Sequence, residues 1–209
     1  MRHPNSRRES GNVMIEFALS SVVAVPLMLG IVFGGITLGR GIQASQVARD
    51  TAHMFAKGVD FGKLNCVDGD VTSCNQHLIV RLAEGTGMTL NGGNGVVILS
   101  QVTKVFAEDC QAANLSDADC RNKDQAVFLF RTTVGNEGLR ASNFGTPAAN
   151  LIQEDNTVKD HLKDPGAQAS RILDLINLER GDVAYVVECY LQTSDLFGGA
   201  RGIYAYSIF

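Results

Sequence analysis

The chain has no tryptophan and only 4 prolines in 209 residues, and Asp, Glu, Lys and Arg together make up 19%. Scarce proline excludes proline-rich linkers and collagen-like repeats despite 22 glycines. The charged fraction lies below the quarter usual for soluble domains, and with a slightly positive mean hydropathy it excludes a disordered chain. Basic residues are not in excess. A net charge of −4 and a pI near 5.5 speak against a general nucleic-acid binder. The five cysteines lack CxxC spacing and the four histidines are scattered, so no zinc site is read. Asp68-Gly69-Asp70 and Asp117-Ala118-Asp119 lack the third ligand and the terminal glutamate of an EF-hand loop. His3, His53, His77 and His161 accompany no serine or cysteine nucleophile in a recognised motif, and there is no phosphate loop. The sequence predicts no catalytic constellation, no metal and no cofactor.

What is present is concentrated near the front. Residues 17–38 read FALSSVVAVPLMLGIVFGGITL without a charge. At the α-helical rise these span about 33 Å, enough to cross a hydrocarbon core of about 30 Å. Arg2, Arg7 and Arg8 precede the run against a single Glu9, while Arg40 and Arg49 after it are balanced by Asp50 and Asp60. The positive-inside rule then places residues 1–11 in the cytoplasm and exports the C-terminal ~170 residues. A cleaved secretory signal has a shorter apolar region and a small-x-small site. Here the nearest such site, Thr37-Leu38-Gly39, is followed at once by Arg40. Arg7-Arg8 lacks the apolar continuation of a twin-arginine signal. A plain single-pass anchor is the simplest reading, and it leaves Glu16 unexplained.

Glu16 stands at the lip of the apolar run, among Val13, Met14, Ile15 and Phe17. A carboxylate there is costly unless it meets a cation. If the chain were cut between Gly11 and Asn12, Glu16 would become the fifth residue. Asn12 would then carry a new α-amino group, charged at neutral pH. Residues four apart share a helix face, so amine and carboxylate would neutralise each other within or between subunits. The same cut moves the net charge from −4 to −6 by removing three arginines and one glutamate.

A basic leader, Gly11, four residues, Glu16 and an apolar stretch resemble the class III signal peptides of type IV pilins. The continuation is similar to the opening of TadE-like proteins, the minor pilins (pseudopilins) of the tight-adherence (Tad, or Flp) pilus. The similar residues are Glu16-Phe17-Ala18-Leu19, Pro26-Leu27-Met28-Leu29, Gly30, Phe33-Gly34, Gly39-Arg40 and Val47-Ala48-Arg49-Asp50-Thr51-Ala52. The similarity covers about residues 7–57. A mature chain beginning with Asn12 departs from the phenylalanine usual in type IVa pilins and secretion-system pseudopilins. The chain is also much longer than the major Flp pilins. The resemblance implies cleavage by a prepilin peptidase and a single pass through a bacterial inner membrane, with the head periplasmic and possible incorporation into the extracellular fibre. It implies assembly through Glu16 and Phe17 with other pilin subunits at the assembly platform, to initiate, cap or regulate the pilus. The alternative is a single-pass envelope protein whose periplasmic head binds a ligand or partner without polymerising. An exported enzyme is a third possibility, weakened by the missing nucleophile.

Gly30, Gly34, Gly35 and Gly39 form two consecutive GxxxG motifs, a spacing that lets helices approach closely in lipid. Pro26 removes the donor to the Val22 carbonyl, which predicts a kink or local unwinding. The helix is expected over residues 12–57, halted by Gly58. Ala44, Ala48, Ala52 and Ala56 continue the four-residue spacing, and Ala44, Val47, Ala48, Thr51, Ala52 and Phe55 make a stripe suited to packing on a sheet.

For residues 58–209 an α+β head is expected, its antiparallel sheet laid on the long helix. Alternation marks strands at 183–191 (Val183, Tyr185, Val187, Cys189, Leu191 on one face) and 126–134 (Ala126, Phe128, Phe130, Thr132, Val134 on one face). Further strands are expected at 96–106 and, at an edge, 202–209. Short helices are expected at 75–83 and 167–180. Cys66, Cys74, Cys110 and Cys120 lie in polar, Asp-rich stretches read as loops. In an oxidising compartment, Cys66–Cys74 and Cys110–Cys120 are the expected local pairs among three possible connectivities. Cys189, on the apolar strand face, is expected as a buried free thiol.

Overall fold

The computed structural model describes residues 9–62, 74–194 and 200–209. They fall in two compact units, residues up to Arg40 and residues from Gly41 onward. The first unit is helix alone. Helix α1 (Glu9–Ala56) begins three residues before the expected start and stays α-helical through Pro26. The unwinding expected there does not occur, because one lost amide leaves the bonds on either side in place. The hydroxyls of Ser21 and Thr37 donate back to the carbonyls of Ala18 and Phe33, at 2.9 Å each. Neither side chain is therefore left unsatisfied in an apolar surround.

In the second unit α1 ends in a Schellman turn. Gly58 takes φ +86°, open to glycine at little cost. Its amide donates to Phe55, and that of Val59 to Met54, at 3.0 and 3.1 Å. The chain continues through α2 (Gln76–Leu82), the short hairpin β1 (Met88–Thr89) and β2 (Gly92–Gly93), β3 (Gly95–Lys104), α3 (Ala107–Ala112), β4 (Ala126–Gly135), β5 (Ala184–Ser194) and β6 (Ala200–Ile208). The main sheet is antiparallel in the order β4-β3-β5-β6, an α+β architecture with the last strand at an edge, as the alternation predicts. One sheet face, carrying Val97, Leu99, Phe130, Val134, Val187, Cys189 and Leu191, packs on Ala44, Val47, Ala48, Ala52 and Phe55 of α1. The alanine spacing from Ala44 to Ala52 thus serves the sheet, since these small side chains let helix and strands approach. Ala56 is exposed.

The opposite face is covered as well, by the irregular stretch that links β4 to β5. Val102, Ala126, Phe128, Ala184 and Val186 bury Phe144, Leu151, Val158, Ile172 and Leu178. The expected single face on β4 therefore does not form. Phe130 and Val134 face α1, whereas Ala126 and Phe128 face the other way. The cause is a bulge: Gln101 pairs with Phe130 and Val102 with Phe128, leaving Leu129 extra and reversing the alternation.

The helix expected at 167–180 is also absent. After a 3₁₀ turn at Pro165–Ala167, Gln168 turns extended and bridges to Val127. The Ala169 amide donates to Ala126 at 2.8 Å. Arg171 takes φ +63°, and one helical turn follows Ile172, its carbonyl accepting from the amides of Leu175 and Ile176. Capping the free edge of β4 overrides the local helical preference. Helix α3 was not foreseen. Its first turn is held by Asp109, whose carboxylate accepts from the Phe106 amide at 2.9 Å.

Candidate functional site: an exposed apolar helix segment and a buried polar cluster

The exposed segment of α1 is the first feature. Met14, Phe17 and Ile31 are 78%, 76% and 75% exposed, and Val22, Leu27, Met28 and Leu38 are exposed with them. A soluble protein does not leave so long a run of large apolar side chains to water. Among the described residues this is the one helix long and apolar enough to cross a membrane, which marks the chain as membrane-anchored through a single pass. Glu16 lies exposed among these residues, and among the described residues nothing pairs with it. Gly11 and Asn12 lie in the first turns of α1. At Gly30, Gly34, Gly35 and Gly39 an added Cβ would meet nothing within 4 Å, and none has a positive φ. Among the described residues, no contact and no backbone conformation requires glycine at these four positions.

The cysteines are placed in part. Cys110 and Cys120 form a disulfide, as expected. Cys110 lies on α3 rather than in a loop, and both sulfurs are buried with Val105 and Val127. Cys74 is disulfide-bonded, while Cys66 lies outside the described residues. Cys189 is a buried free thiol, and burial pushes its pKa up to about 12. Asp117 and Asp119 are held by protein groups: Asp117 pairs with Lys123 at 3.2 Å, and Asp119 accepts from Ser116 at 2.6 Å. Asp68 and Asp70 lie outside the described residues. His53 is exposed and its ring meets that of Phe209; His77 is buried on α2.

The second feature is a buried polar cluster. On the sheet face away from α1, Glu188 and Arg131 are only 2% and 5% exposed. Glu188 sits mid-strand on β5. Its carboxylate accepts from the Tyr204 hydroxyl of β6 at 2.7 Å, from the Asn143 amide at 2.8 Å and from the Ser142 hydroxyl. The Arg131 guanidinium of β4 donates to Ser100 of β3 at 2.7 Å and to Ser142 at 3.5 Å. Burial lowers the Arg131 pKa to about 10, against the opposing pull of Glu188. Burial first, and then the bond to Glu188, raise that of Tyr204. Arg140 stacks on the Tyr204 ring at 4.3 Å, its Nε buried without a hydrogen-bond partner. The cluster fastens the loop around residues 140–144 across all four strands. Its donors and acceptors are largely consumed by one another, which is the arrangement of a brace. The sequence signals are two lone charges in otherwise uncharged strands, Arg131 in β4 and Glu188 in β5.

Among the described residues no group of three or more His, Cys, Asp or Glu is placed to hold a metal ion. Compared with known proteins, the chain matches no family model, no curated protein and no solved structure.

Proposed function

We propose that the chain is a minor pilin or pseudopilin of a tight-adherence pilus. It assembles through the exposed segment of α1 after a prepilin peptidase cuts between Gly11 and Asn12. The observation that carries this reading is the combination on that segment. It holds a membrane-length apolar surface and, among the described residues, a carboxylate with no partner at its start and four glycines that no contact requires. A lone anchor needs only the first of these. Glycine costs a helix about 1 kcal/mol relative to alanine, so four of them on one segment favour a close neighbour outside the chain. Glu16 then meets the α-amino group of Asn12, in its own or an adjacent subunit, and the surrounding lipid and subunits cover the rest. The partners are other pilin subunits, the peptidase and the assembly platform. The head, periplasmic before assembly, is carried into the fibre or holds its base.

Glu16→Ala tests the pairing. Membrane insertion and the head fold are expected to be unchanged, while recovery of the chain in sheared pili falls at least about tenfold, the loss of roughly one charge pair near lipid. Undiminished recovery in pili contradicts the pairing. Recovery only in membranes, for the unmutated chain as well, favours a non-polymerising envelope protein.

A further inference from the structure

The two edges of the main sheet are treated differently. The outer edge of β4 is closed. Its residues bond to the stretch that follows, with Arg131 donating to Asn156 at 2.9 Å, Leu129 accepting from Val158 at 2.8 Å and Ala126 accepting from Ala169 at 2.8 Å. Among the described residues the outer edge of β6 has no such cover. Tyr185 and Phe209 exchange both amide–carbonyl bonds, and the register from Val186–Ile208 to Ser194–Ala200 is unbroken. Alternation then turns the amides and carbonyls of Ile203, Ala205 and Ser207 toward β5 and those of Gly202, Tyr204, Tyr206 and Ile208 away from it. Among the described residues no backbone bond reaches these four from outside.

An exposed edge is a liability that proteins blunt with proline, lysine, a bulge or a short strand. Strand β6 has 9 residues, none of them proline or lysine, and no bulge. We propose that β6 is a strand-addition edge that takes one extended segment of a partner protein free of basic side chains, paired main chain to main chain. The chemistry of the segment follows from its surroundings. Tyr204 and Tyr206 flank it on one side and Ile203 and Ala205 on the other, with no charge between residues 202 and 208. A cationic side chain laid there would lose water and meet the Arg140 guanidinium over the Tyr204 ring rather than a counter-charge.

The residue opposite Gly202 must also be small, because the Tyr190 ring already occupies the space a Cβ on Gly202 would need. This argues against a second copy. Two β6 strands in full antiparallel overlap about Tyr204 would set the Tyr206 of each against the Gly202 of the other. The inference concerns the head alone and holds for either reading of the stem.

Residue-resolved hydrogen exchange on the full chain in detergent micelles tests it. In the chain alone the amides of Ile203, Ala205 and Ser207 are expected to be slow and those of Tyr204, Tyr206 and Ile208 fast. The probe is a capped peptide of alternating threonine and valine, with alanine at the position facing Gly202. At saturation it is expected to slow the outward amides about tenfold or more, whereas the same peptide with lysine in place of valine does not. Tyr206→Pro, which removes one outward amide, abolishes the effect and leaves the inward amides slow. Tyr206→Ala, which keeps the amide, retains it. Outward amides already slow in the chain alone, or unmoved by the peptide, overturn the proposal. Protection that rises with the protein's own concentration gives the edge to a second copy and overturns it equally.

Discussion

Glu188 sits in the middle of a buried strand face, and three donors converge on its carboxylate. Glu188→Ala leaves those donors and the Arg131 cation uncompensated, a loss of about 3–5 kcal/mol. Glu188→Gln keeps an acceptor and costs less. Urea unfolding of the chain in detergent, followed by tyrosine near-ultraviolet dichroism, separates the two. Thr51 makes the opposite case. Its hydroxyl is buried against the sheet with no partner, so Thr51→Val is expected to raise stability by about 1 kcal/mol in the same experiment. Cys189 supplies a readout of native packing. With its pKa raised to about 12 by burial, the thiol stays protonated in the folded chain. At about pH 8 iodoacetamide is expected to leave it unmodified until denaturant is added, and rapid native labelling would show that this part of the core is open.

At the scale of elements, the face of α1 that carries Ala44, Val47, Ala48, Ala52 and Phe55 packs on the sheet, and enlarging a side chain on that face forces helix and strands apart. Ala48→Leu is expected to destabilise the head by about 1–3 kcal/mol. Gly34→Leu is the contrasting change, since a Cβ added at Gly34 meets nothing within 4 Å among the described residues. It is expected to leave thermal unfolding of the detergent-solubilised chain unchanged while lowering incorporation into pili. A drop in melting temperature would place the need for glycine inside the single chain.

The same contrast explains what the sequence displayed. Residues 44–55 and 183–191 are legible because one side of each is apolar over several turns or pairs, and a single partner imposes that pattern. Strand β4 misleads because one extra residue, Leu129, inverts the pattern midway, and nothing in its composition marks a bulge. Residues 167–180 have helical composition, yet Gln168 and Ala169 are taken up by the edge of β4, a contact some 40 residues distant in sequence that no local signal announces. Glu188 was passed over because its partners, Ser142, Asn143 and Tyr204, come from separate stretches of the chain.

For the whole molecule, the head is a sheet covered on both faces, braced by a buried polar cluster and fastened by the Cys110–Cys120 disulfide. Large apolar side chains of α1 before Arg40 are exposed. That division suits a subunit whose stem is to be sheathed by lipid first and by other subunits afterwards. In the proposed function, proteolysis creates a cation for Glu16. The decisive measurement is the intact mass of the chain extracted from the membranes of cells that make the prepilin peptidase. A polypeptide beginning at Asn12 is expected, with the three leader arginines gone. A chain still beginning at Met1 in those cells contradicts it.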